Sequence, residues 1–497
     1  MNNKSNTETA REVSLEDIGA GVAVVDAQIR ELLGEVMAQH RSREVAFDYM
    51  AGLSGSGKAN CWAQAEAAGH PNWSRMQALL GRYVWDYTVL RSWLAPLAAQ
   101  WLRCPDTDLI GAGVAIDETA ALKKGDHTFG VSAQHAGCTG KVENCVTTVF
   151  TSYVTTTGSC WVDFDVYFPQ RWAQDPQRRA RAGVPAELDL VTKPDLALAQ
   201  IARLVATGVP LGWVAGDEVY GRSTRLRGEC ERQGLAYVFA VPSDHHLSTG
   251  PHTPDVTASE AAKTGVFERR SCGDGSMGPR YFDWAMIATA SPRHFLLIRR
   301  LISRPDQLAY FTCYVPDPAK TTLTYLITIA GRRWPVEETF KTAKDVLGWD
   351  QSQSRTYTAV NRHTALAALA QLRHACALLA TTQPTTITPA PAPAKENPSG
   401  EGTPPGAVDP ADLLIPLDDS PVPVTATQRR PTRIGYIKLS IAEHRRLYEL
   451  ALAKAAGLLT PAAEAFHLRW SRRRRRHQAI ARWHHYRHRI HLAITTP

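Results

Sequence analysis

Residues 111–125 read GAGVAIDETAALKKG and residues 209–221 read VPLGWVAGDEVYG. Each is a short apolar run with strand character that stops on a pair of acids, Asp117-Glu118 in the first and Asp217-Glu218 in the second. Between them, VENCVTTVFTSYV (142–154) and CWVDFDVYF (160–168) are rich in β-branched and aromatic residues, and residues 195–207 have the spacing of an amphipathic helix. Beyond Asp217 come a charged helix over 222–233, closed near Gly234, and the strand AYVFAV (236–241). The order is β-β-β-α-β-α-β. In such a sheet the first and fourth strands are commonly neighbours, so Asp117 and Asp217 are expected to face one another.

Outward from this block the character changes on both sides. Residues 14–101 show apolar residues at helical spacing, as in Ile29, Leu32, Leu33 and Val36, and are expected to be all-α. The stretch GLSGSGK (52–58) meets a phosphate-loop spacing up to Lys58, but Ala59 follows and no apolar strand precedes it, so a loop between helices is the better reading. On the other side, 243–279 reads as a Gly/Pro/Ser-rich loop, followed by strands over 281–289, 294–302 and 307–315. The segment 323–330 comes next, then a helix over 335–348 with Pro335 in its first turn, and an alanine-rich helix over 358–380. Residues 381–433 are Pro/Thr-rich and read as an extended linker, and residues 1–11 as a disordered lead. Two helices, 440–456 and 461–494, close the chain.

Composition narrows the class. The 497 residues are 44% hydrophobic and 21% charged, which excludes a wholly disordered chain and a fibre. No apolar run is long enough to cross a membrane, and the polar start lacks the core of a signal peptide. Nine scattered cysteines without a Cys-x-x-Cys pair argue against a disulfide framework or zinc ribbon and fit a reducing cytoplasm. The net charge of +8 lies wholly in the tail, where residues 466–497 hold nine arginines and no acid. Such a tail suits a polyanion, above all nucleic acid. Its arginines Arg472, Arg473, Arg474, Arg475 and Arg476 are the candidates for DNA contact.

A third acid stands in GRRWPVEETFKTAK (331–344). There Glu337, Lys341 and Lys344 share one helical face, and Arg333 lies one turn earlier. If a helix carrying Glu337 crosses the ends of the two strands, three carboxylates meet, an arrangement that needs cations between them. All-oxygen donors suit Mg²⁺ or Mn²⁺, and two such ions suit phosphodiester chemistry. The plainer alternative is that each acid is a loop or cap residue and Glu337-Lys341 a solvated pair. The adjacent Glu118, Glu218 and Glu338 leave the register open by one residue. Lys123, Lys124 and His127, just past the first acid, either meet a phosphate or sit in a solvated turn, and Tyr220 and Arg222 either touch DNA or pack behind Asp217. Trp334 and Trp349 either stack on an extruded base or fill the core.

In combination these segments resemble bacterial insertion-sequence transposases of the DDE superfamily, in the branch marked by a Tyr-Arg-Glu-Lys signature. AIDETAALKKG (115–125) and AGDEVYG (215–221) are similar to the family's first two acid motifs, and Arg333, Glu337 and Lys344 fit the Arg-Glu-Lys spacing, with Ala330 at the Tyr position. The resemblance implies that Asp117, Asp217 and Glu337 are the catalytic acids and metal ligands, rather than Glu118, Glu218 and Glu338. It implies an α/β fold: a ribonuclease-H-like mixed sheet core with an inserted β-rich segment, an N-terminal all-α domain and C-terminal basic helices. The expected division is a DNA-binding helical domain (1–105), the first part of the core (106–242), the insertion (243–330), the core's C-terminal helices (331–380), the linker (381–433) and the basic tail (434–497). The implied function is a DNA transposase. With two Mg²⁺ (or Mn²⁺) ions it would cut double-stranded DNA at terminal inverted repeats and join the 3′-hydroxyls to target DNA. It would work as a homodimer on DNA, in the bacterial cytoplasm and on the nucleoid when bound, with Arg333, Lys341, Lys344, Lys123 and Lys124 on phosphates. The alternatives are a silent transposase-derived DNA-binding protein and a ribonuclease-H-like nuclease without strand transfer.

Overall fold

The computed structural model describes residues 12–55, 60–108, 110–250, 254–275, 278–382 and 436–495. The expected disordered lead, all but the first two residues of the expected linker, and residues 56–58 of the GLSGSGK stretch fall outside them; Gly52 and Leu53 belong to a helix.

Five main helices open the chain: α1 (Leu15–Val36), α2 (His40–Leu53), α3 (Cys61–Ala67), α4 (Ser74–Gly81) and α5 (Tyr87–Trp101). Helix α1 starts on a capping box, with Ser14 Oγ accepting from Asp17 N and the Asp17 carboxylate accepting from Ser14 N. Its buried Ile18, Val22, Val25, Ile29 and Leu33 recur every three or four residues, as an amphipathic helix requires.

The sheet is built from β1 (Gly113–Leu122), β2 (Ser132–Ala136), β3 (Lys141–Val154), β4 (Ser159–Val166), β5 (Trp213–Gly216) and β6 (Ala236–Val241). Helix α6 (Lys193–Ala206) precedes β5, and α7 (Thr224–Arg232) joins β5 to β6. Strand β1 pairs antiparallel with β3 and parallel with β5, and β5 pairs parallel with β6. The strand-and-helix order is the expected one, with the short β2 added at the edge. This mixed sheet among helices is consistent with the ribonuclease-H-like fold.

The inserted segment extends that same sheet. Its strands β7 (Glu268–Gly275), β8 (Gly278–Ala288), β9 (His294–Leu301) and β10 (Arg304–Tyr314) form a meander, and β10 pairs antiparallel with β6 through Cys313↔Val238. Strand β7 corrects the loop expected over 243–279. Its sequence ERRSCGDG is charged and glycine-rich, so no strand propensity marks it. Tertiary pairing holds it instead: Tyr281 opposes Ser271, and Arg269 forms an ion pair with Asp283 at 2.7 Å.

Helix α8 (Leu323–Arg332) covers this part of the sheet, and Gly331 lies so close to β7 that a Cβ there would meet the Cys272 carbonyl oxygen at 1.8 Å. Helix α9 (Pro335–Lys341) passes into a π-helical turn at Thr342–Val346, so the expected helix over 335–348 is regular only in its first half. Helix α10 (Tyr357–Thr382) is buried on nearly every side, between the N-terminal helices and β4. Its polar groups are matched from those helices. Arg373 pairs with Asp26 (Nη2 to Oδ2, 2.8 Å), His374 meets Ser54 Oγ at 2.7 Å, and His363 meets Tyr49 Oη at 2.8 Å. The N-terminal helices, α10 and one face of the sheet share a single hydrophobic core. Helices α11 (Ile441–Ala455) and α12 (Pro461–Thr495) follow; α11 packs on α1 and α12 lies against β8. No described helix is long and apolar enough to cross a membrane.

Candidate functional site

The pairing of β1 with β5 runs from Gly113↔Trp213 to Ile116↔Gly216 and stops there. Asp117 and Asp217 are the next residues, so two carboxylates emerge side by side where the parallel pairing stops: Asp217 just past the last residue of β5, and Asp117 in mid-strand, because β1 does not end on its acids as expected but runs on to Leu122 against β3. Asp217 also caps the turn Glu218–Gly221, with Oδ1 accepting from Val219 N at 2.9 Å. That turn packs directly on β6: a Cβ at Gly221 would meet the Ala240 carbonyl oxygen at 1.9 Å. Asp117 accepts from Glu118 N through Oδ1 at 2.9 Å and from Arg333 Nη2 through Oδ2 at 2.7 Å.

One oxygen from each of Asp117, Glu118 and Asp217 lies within 4.8 Å of the others. The sequence reading sets Glu118 aside, and strand alternation would turn it to the opposite face. Because β5 ends at Gly216, the space beside Glu118 is open on that edge and Tyr220 enters it. Tyr220 Oη donates to Glu118 Oε2 at 2.6 Å, and Lys193 Nζ donates to Oε1 at 2.7 Å. Both oxygens of Glu118 are thus committed to protein partners.

Glu337 is not in this group. It is exposed on α9, and its carboxylate makes no hydrogen bond or ion pair with a described residue. Its helix is nevertheless laid along β1 at both ends. Arg333 holds Asp117, Lys344 Nζ donates to the Ala120 carbonyl at 2.9 Å, and Glu337 lies between them in sequence. Arg332, bonded to Gly111 O at 2.6 Å and paired with Asp108, pins the same segment to the start of β1.

The charges are unevenly compensated. Burial pushes the Asp117 carboxyl up to about 7; Arg333 opposes the rise, while Asp217 and Glu118 add to it. Asp217 is raised by burial and by Glu118, against Arg333. Three carboxylates face two cations, Arg333 and Lys193, which leaves room for added positive charge. The donors are all carboxylate oxygens, with no His or Cys among them, and that set fits a hard divalent cation.

The other expected residues divide by what they already hold. Lys123 Nζ donates to the carbonyls of Asp350 and Ser352 at 3.1 and 2.7 Å and is spent on them; Lys124 and Lys341 are exposed. His127 is exposed beside Asp126, Arg222 pairs with Glu218, and Trp349 is buried in the core. In α12, Arg472 lies 3.5 Å from Glu12, Arg474 bonds Glu443 at 3.0 Å, and the buried Arg475 donates to Ile437 O at 2.9 Å. Arg473 and Arg476 are exposed. Lys193, which sequence reading missed, carried one signal: a lysine in the first turn of a helix opposes the helix dipole and calls for a nearby acid.

Residues 33–270 match the family described as DDE superfamily endonuclease, and residues 190–373 match the one described as transposase DDE domain. A curated relative from Microchaete diplosiphon, described as a probable transposase for insertion sequence element IS701, is 30% identical over 188 residues. That match covers 38% of this chain and 45% of the relative, so the chain spans under half the length of the relative it matches. These similarities support an insertion-sequence DDE transposase, and none is specific to the Tyr-Arg-Glu-Lys branch.

Proposed function

We propose that this chain cuts DNA phosphodiesters at the two ends of a mobile element and joins the freed 3′-hydroxyls to target DNA. The observation that carries the reading is the meeting of Asp117 and Asp217 where the pairing of β1 with β5 stops, in a group with more negative charge than its cations offset. The family similarities agree with it. Asp117 and Asp217 are assigned as catalytic acids and metal ligands, and Glu337 as the third, brought in from a helix that Arg333 and Lys344 fasten to β1.

Bound at these carboxylates, two Mg²⁺ or Mn²⁺ ions would supply Lewis-acid stabilisation and an activated water or hydroxyl. The protein's own groups do the positioning. Glu118, tied to Lys193 and Tyr220, fixes β1 beside Asp117 and helps keep the Asp117 carboxyl high. Lys341, Lys344 and Lys124 are assigned to hold backbone phosphates in line, and the exposed Arg473 and Arg476 of the tail to meet flanking DNA. Two ends must be handled together, so the working form is a homodimer on DNA. Its place is the bacterial cytoplasm, on the nucleoid when bound.

The test is a Mg²⁺-dependent nicking and joining assay on a plasmid that carries the DNA flanking the gene. Nicks and strand-transfer products with the natural chain, and neither with Glu337→Gln, support the reading. Nicks without joints would make it a ribonuclease-H-like nuclease, and DNA binding without nicks a silent binding protein.

A further inference from the structure

The inserted strands carry a second charged group beside the acids, of opposite sign. On β8 the residues Arg280, Phe282 and Trp284 alternate onto one face, as do Leu297 and Arg299 on β9. The inner part of that face, Trp284 and Leu297, is buried against α8 in one core. Its outer part ends in arginines. The Arg299 guanidinium lies 4.8 Å from the centre of the Phe282 ring and 5.8 Å from that of Phe311. Arg280 lies 5.2 Å from the Trp334 ring and donates through Nη2 to the Gly331 and Cys272 carbonyls, at 2.8 and 3.2 Å. Trp334 is the residue next to Arg333, which holds Asp117.

These three arginines have few acceptors. The buried Nε of Arg280 and the buried Nε of Arg333 meet none among the described residues. The Arg299 guanidinium makes no hydrogen bond or ion pair with a described residue, and its contacts are the Phe282 and Phe311 rings. Burial, together with the charges of Arg280 and Arg333, holds Arg299 below its ordinary value. Arg269 and Arg300, by contrast, share Asp283, and Arg270 has Glu268. A guanidinium stacked on aromatic faces, with its N–H edge unspent, is arranged for planar, bidentate recognition of phosphate.

We propose that Arg280, Arg299 and Arg333 form a binding site for a DNA backbone phosphate next to the one that reacts at the acids, with the inserted strands as its wall. This rests on the reading of the chain as a DNA-cutting enzyme. It gives the insertion a direct hold on the substrate strand, through Arg333, which spans both charged groups.

The test uses the full chain and a 30-base-pair duplex of arbitrary sequence without Mg²⁺, with affinity followed across a KCl series. Arg299→Gln weakens binding about tenfold at fixed salt and lowers the slope of log affinity against log salt by about one. Its melting temperature is unchanged or raised, because one of three repelling charges is gone. Arg299→Lys, which keeps the charge and loses the fork, falls between the two. Unchanged affinity and slope with a lowered melting temperature would overturn the proposal and leave Arg299 a packing residue. If 20 mM inorganic phosphate raises the melting temperature of the natural chain (a concentration of about ten times a millimolar-range Kd) and Arg299→Gln removes only that rise, the site takes free phosphate, and the DNA assignment is overturned. Failure of nicking in the natural chain would strike the reading of the acids and leave the Arg299 result standing.

Discussion

Two groups of carboxylates sit in one sheet and have opposite fates. Asp163 and Asp165, on the same face of β4, meet two guanidiniums. Arg203 holds Asp163 through two bonds of 2.9 and 3.0 Å and also reaches Asp165, Arg91 holds Asp165 at 3.1 Å, and Gln200 adds a further donor. Charge is matched inside the protein, and the group locks β4 to α5 and α6. Where the β1–β5 pairing stops, Asp117, Glu118 and Asp217 share two cations; burial raises Asp117 and Asp217, as it also raises Asp163, so the groups differ in counter-charge and not in the direction of the shift. The residue types are alike in both places. What separates structure from function is whether the protein supplies the counter-charge or leaves it to be supplied.

Substitutions should separate the two groups by different readouts. The largest effect is expected at Asp163→Asn, which removes the buried carboxylate shared by Arg203 and Arg91 and leaves both on Asp165 alone, at a cost of about 3 kcal/mol read as a fall in thermal or urea midpoint. A midpoint within error of the natural chain would erase the contrast. At the other group, Asp117→Asn should leave the midpoint level or raised while Mg²⁺-dependent nicking falls by more than the roughly 100-fold that loss of an outer metal partner costs. Nicking that survives would remove Asp117 from the chemistry.

The pH dependence sharpens the same point. The folded pKa of Asp117 is about 7, above the ordinary carboxylate value, so the folded state holds a proton that the unfolded chain has released. Its contribution therefore favours folding below about pH 4 and is lost as pH rises toward 7, on the order of 2 kcal/mol once partial exposure is allowed for. The difference in stability between the natural chain and Asp117→Asn should grow with pH across that window, and a flat difference would count against the shift. The smallest effect is stabilisation by metal. Mn²⁺ at ten times its Kd should add about 1.4 kcal/mol near pH 7.5 and less at pH 5, where Asp117 keeps its proton; equal shifts at both pH values would place the ion elsewhere.

Much of this contrast was legible in the sequence. Apolar runs ending on Asp117 and Asp217, with an intervening β-β-α order, fix two adjacent parallel strands, and adjacency brings the two acids together, although β1 runs on past its acid to Leu122 because β3 continues to pair with it. Glu118 was not legible, because strand alternation turns it away and only the early end of β5 and the arrival of Tyr220 bring it back. Strand β7 was hidden by its glycines and charges, since pairing rather than propensity makes it a strand. The five consecutive arginines read as one uniform basic run, but helical spacing turns Arg475 inward to Ile437 and leaves Arg473 and Arg476 outside. The arginines facing Arg333 depend on strand register across the insertion, which no local pattern reports.

The direct test of the central claim is a Mn²⁺ titration of the full chain followed by electron paramagnetic resonance, with Asp117→Asn, Asp217→Asn and Asp163→Asn beside it. Bound Mn²⁺ in the natural chain, lost in Asp117→Asn and Asp217→Asn and kept in folded Asp163→Asn, is the predicted result. Mn²⁺ binding that is absent from the natural chain, or that persists unchanged without Asp117 and Asp217, would contradict it.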